Sequence, residues 1–207
     1  AHRLIFDTGA KGELLLANMK KLGIAPATVE AVAISHNHWD HTGGLESFLP
    51  LCSARCYVPA SAATELGARI EKAGGTSIPV SGRAAIWPGV WLTGEMGEEI
   101  KEQSLVVETG PGLVLITGCA HPGVVNIARR VKQEFGKSPY LVLGGFHLGQ
   151  TSPENVQGII QALKALGITK AGPGHCTGDQ AIEQFQQSWP DGFERIGCGR
   201  ILKLEAK

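Results

Sequence analysis

The stretch SHNHWDHTGG, residues 35–44, places three histidines and one aspartate within six consecutive positions. A packed core would penalise these rings, because buried polar groups need hydrogen-bonding partners. His36 and His38 are two residues apart, so their side chains point the same way in an extended segment. Asp40 and His41 follow on the next turn. Their side chains can face a second position, beside the one that His36 and His38 face. The spacing therefore indicates a site for two adjacent metal ions, one held by a histidine pair and the other by an aspartate–histidine pair.

Four apolar runs each deliver a histidine just past the end of a predicted strand, in a glycine-rich loop. The runs are AVAIS before His36, LVLITGCA before His121, YLVLGGF before His147 and ITKAGPG before His175. In layered α/β proteins, ligands gather at the edge of the sheet where the parallel strands end. Six of the seven histidines can therefore be collected by one metal site, and only His2 stands apart.

The rest of the chain alternates strands with helices, which is typical of an α/β fold. Helices are predicted at ELLLANMKKLGI, SAATELGARIEKAGG, VVNIARRVKQEF, SPENVQGIIQALKALGI and DQAIEQFQQSW. Ser61 and Ser152 are the expected N-caps of the second and the fourth of these helices. The segment 104–117 is predicted to form a hairpin, and RILKLE is predicted to form a last strand. We find no fixed repeat and no linker, so residues 1–207 are predicted to form one domain.

The composition excludes several classes of function. Lysine plus arginine and aspartate plus glutamate number 19 each, so the formal net charge is zero, and no basic stripe for nucleic acid is visible. No apolar stretch reaches about 18 residues, so no membrane span is expected. The five cysteines are odd in number and scattered, which does not suit a disulfide framework and makes the cytoplasm the default location. We therefore expect a small molecule as the partner, with the oligomeric state left open.

The residues around the histidines resemble the motifs of a known family. HNHWDH matches the His-x-His-x-Asp-His signature of the metallo-β-lactamase superfamily, and FDTG resembles its first motif. A subgroup similar to dihydropterin–ribofuranosyl-aminobenzene-phosphate synthases shares three further motifs, which here read TGCAHPGVVNI, GGFHL and GPGHCTG. The resemblance runs from residue 4 to about residue 178 and implies a four-layer αβ/βα sandwich with a dinuclear site at one edge. Superfamily chains usually carry strands before FDTG, so the resemblance leaves open whether the first strands are missing here.

The resemblance also implies roles for individual residues. One metal would be held by His36, His38 and His121, and the other by Asp40, His41 and His175. His147 would be a further ligand or a proton donor, so Asp40 and His147 are the candidate catalytic residues. Asp7 of FDTG would orient a ligand imidazole, the alternative being a plain turn residue. Cys119 stands where many members carry an aspartate that bridges both metals, so it is either a thiolate ligand or a small core thiol.

The ligand types favour Zn²⁺, with Fe²⁺ or Mn²⁺ as alternatives, because Ca²⁺ and Mg²⁺ prefer oxygen ligands. Two such ions would ionise a shared water near neutral pH, which predicts a hydrolase that uses metal-bound hydroxide on a small ester, lactone or phosphoester. The alternative is a pterin-related synthase, which would use the same site for condensation with an aryl ribofuranosyl phosphate. His38 argues against a di-iron redox role, because such members of the superfamily usually have an acid there. Glu102 and Gln103 either approach the site or belong to a solvated turn.

Overall fold

The chain forms two β-sheets in a computed structural model that describes residues 2–205. The first sheet is parallel throughout and comes from the N-terminal part of the chain. Its strands lie in chain order: β1 (Leu4–Phe6), β2 (Ala31–Ala33), β3 (Arg55–Pro59) and β4 (Thr76–Val80). Residues of β2 alternate between two buried faces, with Val32 packed among the helices and Ala31 and Ala33 packed towards the second sheet. Because both faces are buried, β2 reads as a continuous apolar run in the sequence.

The second sheet is mixed, and its parallel part lies next to the histidine-bearing loops. Its strands are β5 (Ala84–Trp87), β6 (Val90–Leu92), β7 (Leu105–Glu108), β8 (Leu113–Thr117), β9 (Pro139–Gly145) and β10 (Lys170–Gly174). They lie in the order β10, β9, β8, β7, β6, β5 across the sheet. Strands β5 to β8 form an antiparallel meander, whereas β8, β9 and β10 are parallel. The three parallel strands therefore end at one edge, just before His121, His147 and His175.

Helices cover the outer faces of both sheets. In the described part of the chain they are α1 (Gly12–Lys21), α2 (Trp39–Thr42), α3 (Leu45–Phe48), α4 (Ala63–Lys72), α5 (Val124–Phe135), α6 (Pro153–Ala165) and α7 (Asp179–Ser188). One apolar cluster, which includes Met19 and Leu66, packs helices on the first sheet, and another, which includes Ile127 and Phe185, packs helices on the second. A third cluster, around Tyr57, lies between the sheets. The order helix, sheet, sheet, helix confirms the predicted four-layer sandwich.

The predicted helices are all present, as α1, α4, α5, α6 and α7. Helix α6 begins at Pro153, and the Ser152 side chain accepts a hydrogen bond from the Asn155 N–H at 3.4 Å, as expected for an N-cap. The predicted hairpin is the antiparallel pair β7 and β8. Between residues 2 and 205, no helix combines the length and the apolar character needed to cross a membrane.

Two predictions about the ends of elements are wrong. Ser61 does not cap α4, because it lies in a 3₁₀ turn before that helix and its N–H donates to the Glu95 carboxylate at 2.7 Å. RILKLE, residues 200–205, does not form a strand. The outer edge of β10 is occupied by an earlier segment, since Ala171 exchanges backbone hydrogen bonds with residues 192–194. RILKLE therefore cannot pair with β10, because the outer edge of that strand is already occupied.

Candidate metal centre

The edge where strands of both sheets end carries six of the seven histidines in one cluster. The six are His36, His38, His41, His121, His147 and His175. Neighbouring rings in the cluster have centroids 4.1 to 5.0 Å apart. His2 lies elsewhere, stacked on Trp87 with the two ring centroids 4.6 Å apart. The gathering of histidines predicted from the strand ends is thus confirmed.

Strained backbone is concentrated in the loops of this cluster. Among residues 2–205, the non-glycine residues with positive φ are Asp7 at 62°, Ala120 at 60°, His147 at 52° and His175 at 50°. Each such conformation costs about 1–3 kcal/mol for an L-residue and persists only where surrounding contacts hold it. All four residues either belong to the cluster or contact it, so the strain coincides with the candidate site.

The first candidate ligand set contains His36, His38 and His121, whose ring nitrogens lie within 4.8 Å of one another. We call it the three-histidine set. The Nε2 atom of His36 is 3.0 Å from the Nδ1 atom of His38. Two nitrogens bound to one tetrahedral Zn²⁺ would be about 3.3 Å apart, because each Zn–N bond is about 2.0–2.1 Å long. The observed spacing is close to that value, so these rings could hold one ion.

The second candidate ligand set contains Asp40, His41 and His175, and we call it the aspartate set. Asp40 and His41 are neighbours on α2, and His175 begins the turn after β10. The Oδ2 atom of Asp40 is 3.4 Å from Nε2 of His41 and 3.4 Å from Nε2 of His175. The two Nε2 atoms are 3.2 Å apart. This nearly equilateral triangle has the edge length of about 3.3 Å that a tetrahedral zinc ion needs.

Cys119 and His147 lie beside the two sets. The Cys119 sulfur is 3.3 Å from Nε2 of His41 and can also group with His36, so the thiol stands between the sets. His147 is exposed, its ring centroid is 4.6 Å from that of His121, and one of its ring nitrogens can group with a ring nitrogen of His121 and the Cys119 sulfur. Whether Cys119 is a ligand or a packed thiol stays a prediction. The same holds for His147, which is either a ligand or a proton donor.

Hydrogen bonds beneath the site fix which nitrogen of two histidines faces outwards. The Ser35 hydroxyl donates to Oδ2 of Asp7 at 2.7 Å, so the Nδ1–H of His36 donates to the Ser35 oxygen at 2.8 Å. The Nδ1–H of His41 donates to the same Asp7 oxygen at 2.7 Å. The hydrogen bond expected for Asp7 is thereby confirmed. Both imidazoles keep Nε2 as the free lone pair, which is the arrangement a metal ligand requires.

Glu102 is buried beneath the site, with 1% of its surface exposed, so the solvated turn considered for it is wrong. One of its carboxylate oxygens accepts the N–H groups of Cys119 and Ala120 at 3.0 and 2.8 Å. The other accepts both the backbone N–H and the Nδ1–H of His121 at 2.9 Å. Three successive backbone N–H groups around the left-handed Ala120 therefore converge on one anion. Glu102 holds this strained turn and leaves Nε2 of His121 free.

Gln103 is fully buried as well, which rules out a solvated turn for it too. Its backbone N–H donates to the Ser35 carbonyl at 2.9 Å, and its side-chain amide donates to the Ile34 carbonyl at 2.8 Å. Because Ile34 and Ser35 follow β2, these bonds tie the second sheet to the loop that carries His36. The sequence signal for both residues is a Glu-Gln pair that Ser104 separates from the apolar strand β7.

Burial favours the neutral form of His36 and His38, which is the form that binds a metal ion. Burial, followed by the charge of His41, lowers the pKa of His36 from 6.5 to about 3. Burial also lowers the pKa of His38. Burial raises the pKa of Glu102, but hydrogen bonds from the His121 ring and backbone outweigh this effect and lower the pKa to about 2. Neutral rings above an ionised carboxylate suit the binding of a cation at neutral pH.

We expect the metal-free protein to lose stability as the pH falls. The unfolded chain protonates His36 near pH 6.5 and the folded chain only near pH 3, so this contribution is complete above pH 6.5 and is lost towards pH 3. Glu102 adds a loss between pH 4.5 and about pH 2. His41 acts in the opposite direction, because Asp7 raises its pKa in spite of burial. Urea unfolding of the chelated protein at a series of pH values measures the sum of these three contributions. A free energy of unfolding that does not fall as the pH is lowered would contradict this expectation.

Glu102→Gln should weaken metal binding at the three-histidine set by about 10- to 100-fold, the usual effect of losing the partner behind a ligand histidine. Glutamine offers one acceptor oxygen in place of two, so either the His121 ring or the turn before it loses its acceptor. Competition with a chromophoric chelator measures the affinity. Glu30→Gln is the matched control, because Glu30 contacts His2, outside the site, at 2.9 Å. Equal affinities in Glu102→Gln and the unchanged protein would refute this role.

Two open cavities that share one loop reach the histidine cluster. One, of about 670 Å³, is lined by His121, His147 and the loop of residues 96–100. The other, of about 480 Å³, is lined by His38 and Lys101 and shares part of the same loop. The loop between β6 and β7 therefore borders both approaches to the site. Cavities of this size admit a small organic molecule.

Comparisons with known proteins point to one family. Residues 2–175 match the family model described as the metallo-beta-lactamase superfamily. The chain is 32% identical to a protein of Methanocaldococcus jannaschii named 7,8-dihydropterin-6-methyl-4-(beta-D-ribofuranosyl)-aminobenzene-5'-phosphate synthase. That match covers 98% of this chain and 84% of the relative.

Solved structures show the same fold. The crystal structure of Tm1679, described as a metal-dependent hydrolase of the beta-lactamase superfamily, is 30% identical and superposes with a TM-score of 0.84. The superposition covers 98% of this chain and 89% of Tm1679. The metallo-beta-lactamase fold protein YhfI from Bacillus subtilis is 14% identical, with a TM-score of 0.67 and coverage of 95% of this chain and 85% of YhfI. At that identity, the likeness to YhfI concerns the fold alone.

Proposed function

The chain belongs to the metallo-β-lactamase superfamily, and from this premise we propose that it is a metal-dependent hydrolase of a small ester, lactone or phosphoester. The observation that carries the proposal is the pair of adjacent ligand sets: the aspartate set has the triangular spacing that one tetrahedral ion needs, and the ring nitrogens of the three-histidine set lie within 4.8 Å of one another. Divalent ions bound there would acidify a water molecule and polarise a carbonyl or phosphoryl oxygen of the substrate.

The chemistry of the donor atoms fits a pair of transition-metal ions. The two sets together supply five imidazoles and one carboxylate, a combination that suits Zn²⁺, Fe²⁺ or Mn²⁺. We propose two divalent ions per chain, with Zn²⁺ as the preferred metal. Within residues 2–205, Asp40 is the one carboxylate in these ligand sets, so the ion at the aspartate set would be held by the more charged group of ligands.

The chain's own residues would orient the ligands and handle protons. Ser35 and Asp7 turn the Nε2 atoms of His36 and His41 towards the site, and Glu102 does the same for His121. We assign His147 the role of proton donor to the leaving atom, because it is exposed in the larger of the two cavities that share one loop, where a substrate would bind. Asp40, on the other side, both completes the aspartate set and faces solvent in part.

A second candidate function is a pterin-related synthase. It is favoured by the Methanocaldococcus jannaschii relative, whose name describes such a synthase and whose match extends over 98% of this chain. In this case the same ions would activate an electrophile for condensation with an aryl ribofuranosyl phosphate. Lys101, at the cavity beside His38, is a cation that could face the phosphate group.

Two assays run in parallel on zinc-loaded protein separate these functions. The first uses a panel of esters, lactones, thioesters and phosphodiesters, and the second uses a pterin substrate together with an aryl ribofuranosyl phosphate. Hydrolysis that is lost in His38→Ala and kept in His2→Ala would support the hydrolase, because only His38 belongs to a ligand set. Condensation without hydrolysis would replace the hydrolase with the synthase. Neither activity, in protein that carries metal, would reject both proposals.

A further inference from the structure

Two cysteines from different loops meet beside the aspartate set. The sulfur atoms of Cys119 and Cys176 and a ring nitrogen of His175 lie within 4.8 Å of one another. The Cys176 thiol donates to the backbone carbonyl of Cys119 at 3.7 Å, across 57 positions of the sequence. Gly145 permits this approach, because a Cβ at this position would lie 2.8 Å from the Cys176 sulfur and 3.2 Å from the Cys119 Cα. A close pair of thiols is therefore built into the fold.

The two thiols differ in their access to solvent. Cys176 is half-buried and lines an open cavity of about 470 Å³ together with His147 and Gly149. Cys119 is 4% exposed and lies behind it. An accessible cysteine with a second, shielded cysteine within reach is the arrangement of redox-sensitive thiols, in which the first is oxidised and the second resolves it.

We propose that Cys119 and Cys176 form a two-electron oxidation site, which hydrogen peroxide converts into an intramolecular disulfide when the aspartate set holds no metal. The Cys176 sulfur attacks one peroxide oxygen, the O–O bond breaks, and one water leaves as Cys176 becomes a sulfenic acid. The Cys119 sulfur then attacks the Cys176 sulfur, the S–O bond breaks, and the departing hydroxide takes the Cys119 proton as a second water. Two thiols and one peroxide thus give one disulfide and two waters.

Metal binding should control this reaction, and this part of the inference rests on the proposed metal centre. The Cys119 sulfur is 3.3 Å from Nε2 of His41, which belongs to the aspartate set. An ion held by that set would attract the Cys119 sulfur and keep it from turning towards Cys176. Disulfide formation, in return, would draw the sulfur away from His41. Metal and disulfide would therefore exclude each other at this position.

The experiment treats the full chain with hydrogen peroxide, once loaded with zinc and once after chelation. Tryptic peptides 102–129 and 171–195 each contain one cysteine, so mass spectrometry of the unreduced digest identifies the disulfide directly. We expect the linked pair of peptides from the chelated protein, at a rate about tenfold or more above that of the zinc-loaded protein, since only the metal-free fraction reacts. Cys56, which is fully buried, should resist alkylation and so shows that the chelated chain stays folded.

Variants complete the test. Cys176→Ser should abolish the linked peptides, whereas Cys198→Ser, which removes an exposed cysteine elsewhere, should leave them unchanged. Oxidation of Cys176 to sulfinic or sulfonic acid without a link to Cys119 would overturn the proposal. Equal rates with and without zinc would overturn its metal-dependent part. Because the readout is a peptide link in metal-free protein, a failure to find hydrolysis leaves this result intact.

Discussion

His41→Ala should abolish turnover and lower the metal content of the protein by about one ion per chain, since an ion with only two remaining protein ligands is poorly held. The Nε2 atom of His41 lies within 3.4 Å of Asp40, His175 and the Cys119 sulfur, so it is central to the aspartate set. Its Nδ1–H also donates a hydrogen bond to the partly buried Asp7 carboxylate, and the substitution would remove that donor. Metal analysis and the substrate panel, measured on the same preparation, check both effects.

His2→Ala is the matched control for this change, because it removes a histidine that stacks on Trp87 away from the site. It should keep both the metal content and the activity. If the His41→Ala protein kept two ions and full turnover, the aspartate set would not hold a metal. Loss of activity with both ions retained would mean that His41 acts on the substrate and not on an ion.

His147→Asn should lower turnover by roughly 10²- to 10⁴-fold and leave the metal content unchanged, the usual effect of removing a general acid. His147 reaches the site from the loop after β9 with a left-handed backbone, at φ of 52°, and its ring contacts His121 without belonging to either ligand set. Asparagine tolerates this backbone conformation better than most residues, so the loop should keep its shape. The measurements are zinc content and steady-state kinetics with two leaving groups of different basicity.

The choice of leaving group separates the two roles of His147. If it donates the proton, the variant should lose most rate on substrates with basic leaving groups and little on substrates whose leaving group needs no proton. If it is a ligand, the variant should lose an ion and should fail on all substrates alike. That second pattern would replace the proton-donor role with ligation.

The histidine cluster is predictable from the sequence because the determining features are local. An apolar run followed by a glycine-rich loop marks the end of a strand, and parallel strands end at a common edge. The runs before His121, His147 and His175 behave in this way in β8, β9 and β10. The HNHWDH segment is equally local, since α2 alone brings Asp40 and His41 together.

Features that depend on distant contacts are not predictable in this way. The strand β3 reads RCYVP, with an arginine and a proline in five residues, and it becomes a strand because β2 and β4 pair with it on both sides. The role of Glu102 depends on a left-handed Ala120 and on three N–H groups from another loop. The meeting of Cys119 with Cys176 likewise depends on a glycine at position 145 in a third segment.

Anomalous diffraction at the zinc edge, from crystals of zinc-loaded protein, tests the central claim most directly. We expect two anomalous peaks in each chain. One should lie among His36, His38 and His121, and the other among Asp40, His41 and His175. A single peak, or a peak outside these two sets of side chains, would contradict the dinuclear centre on which the proposed function rests.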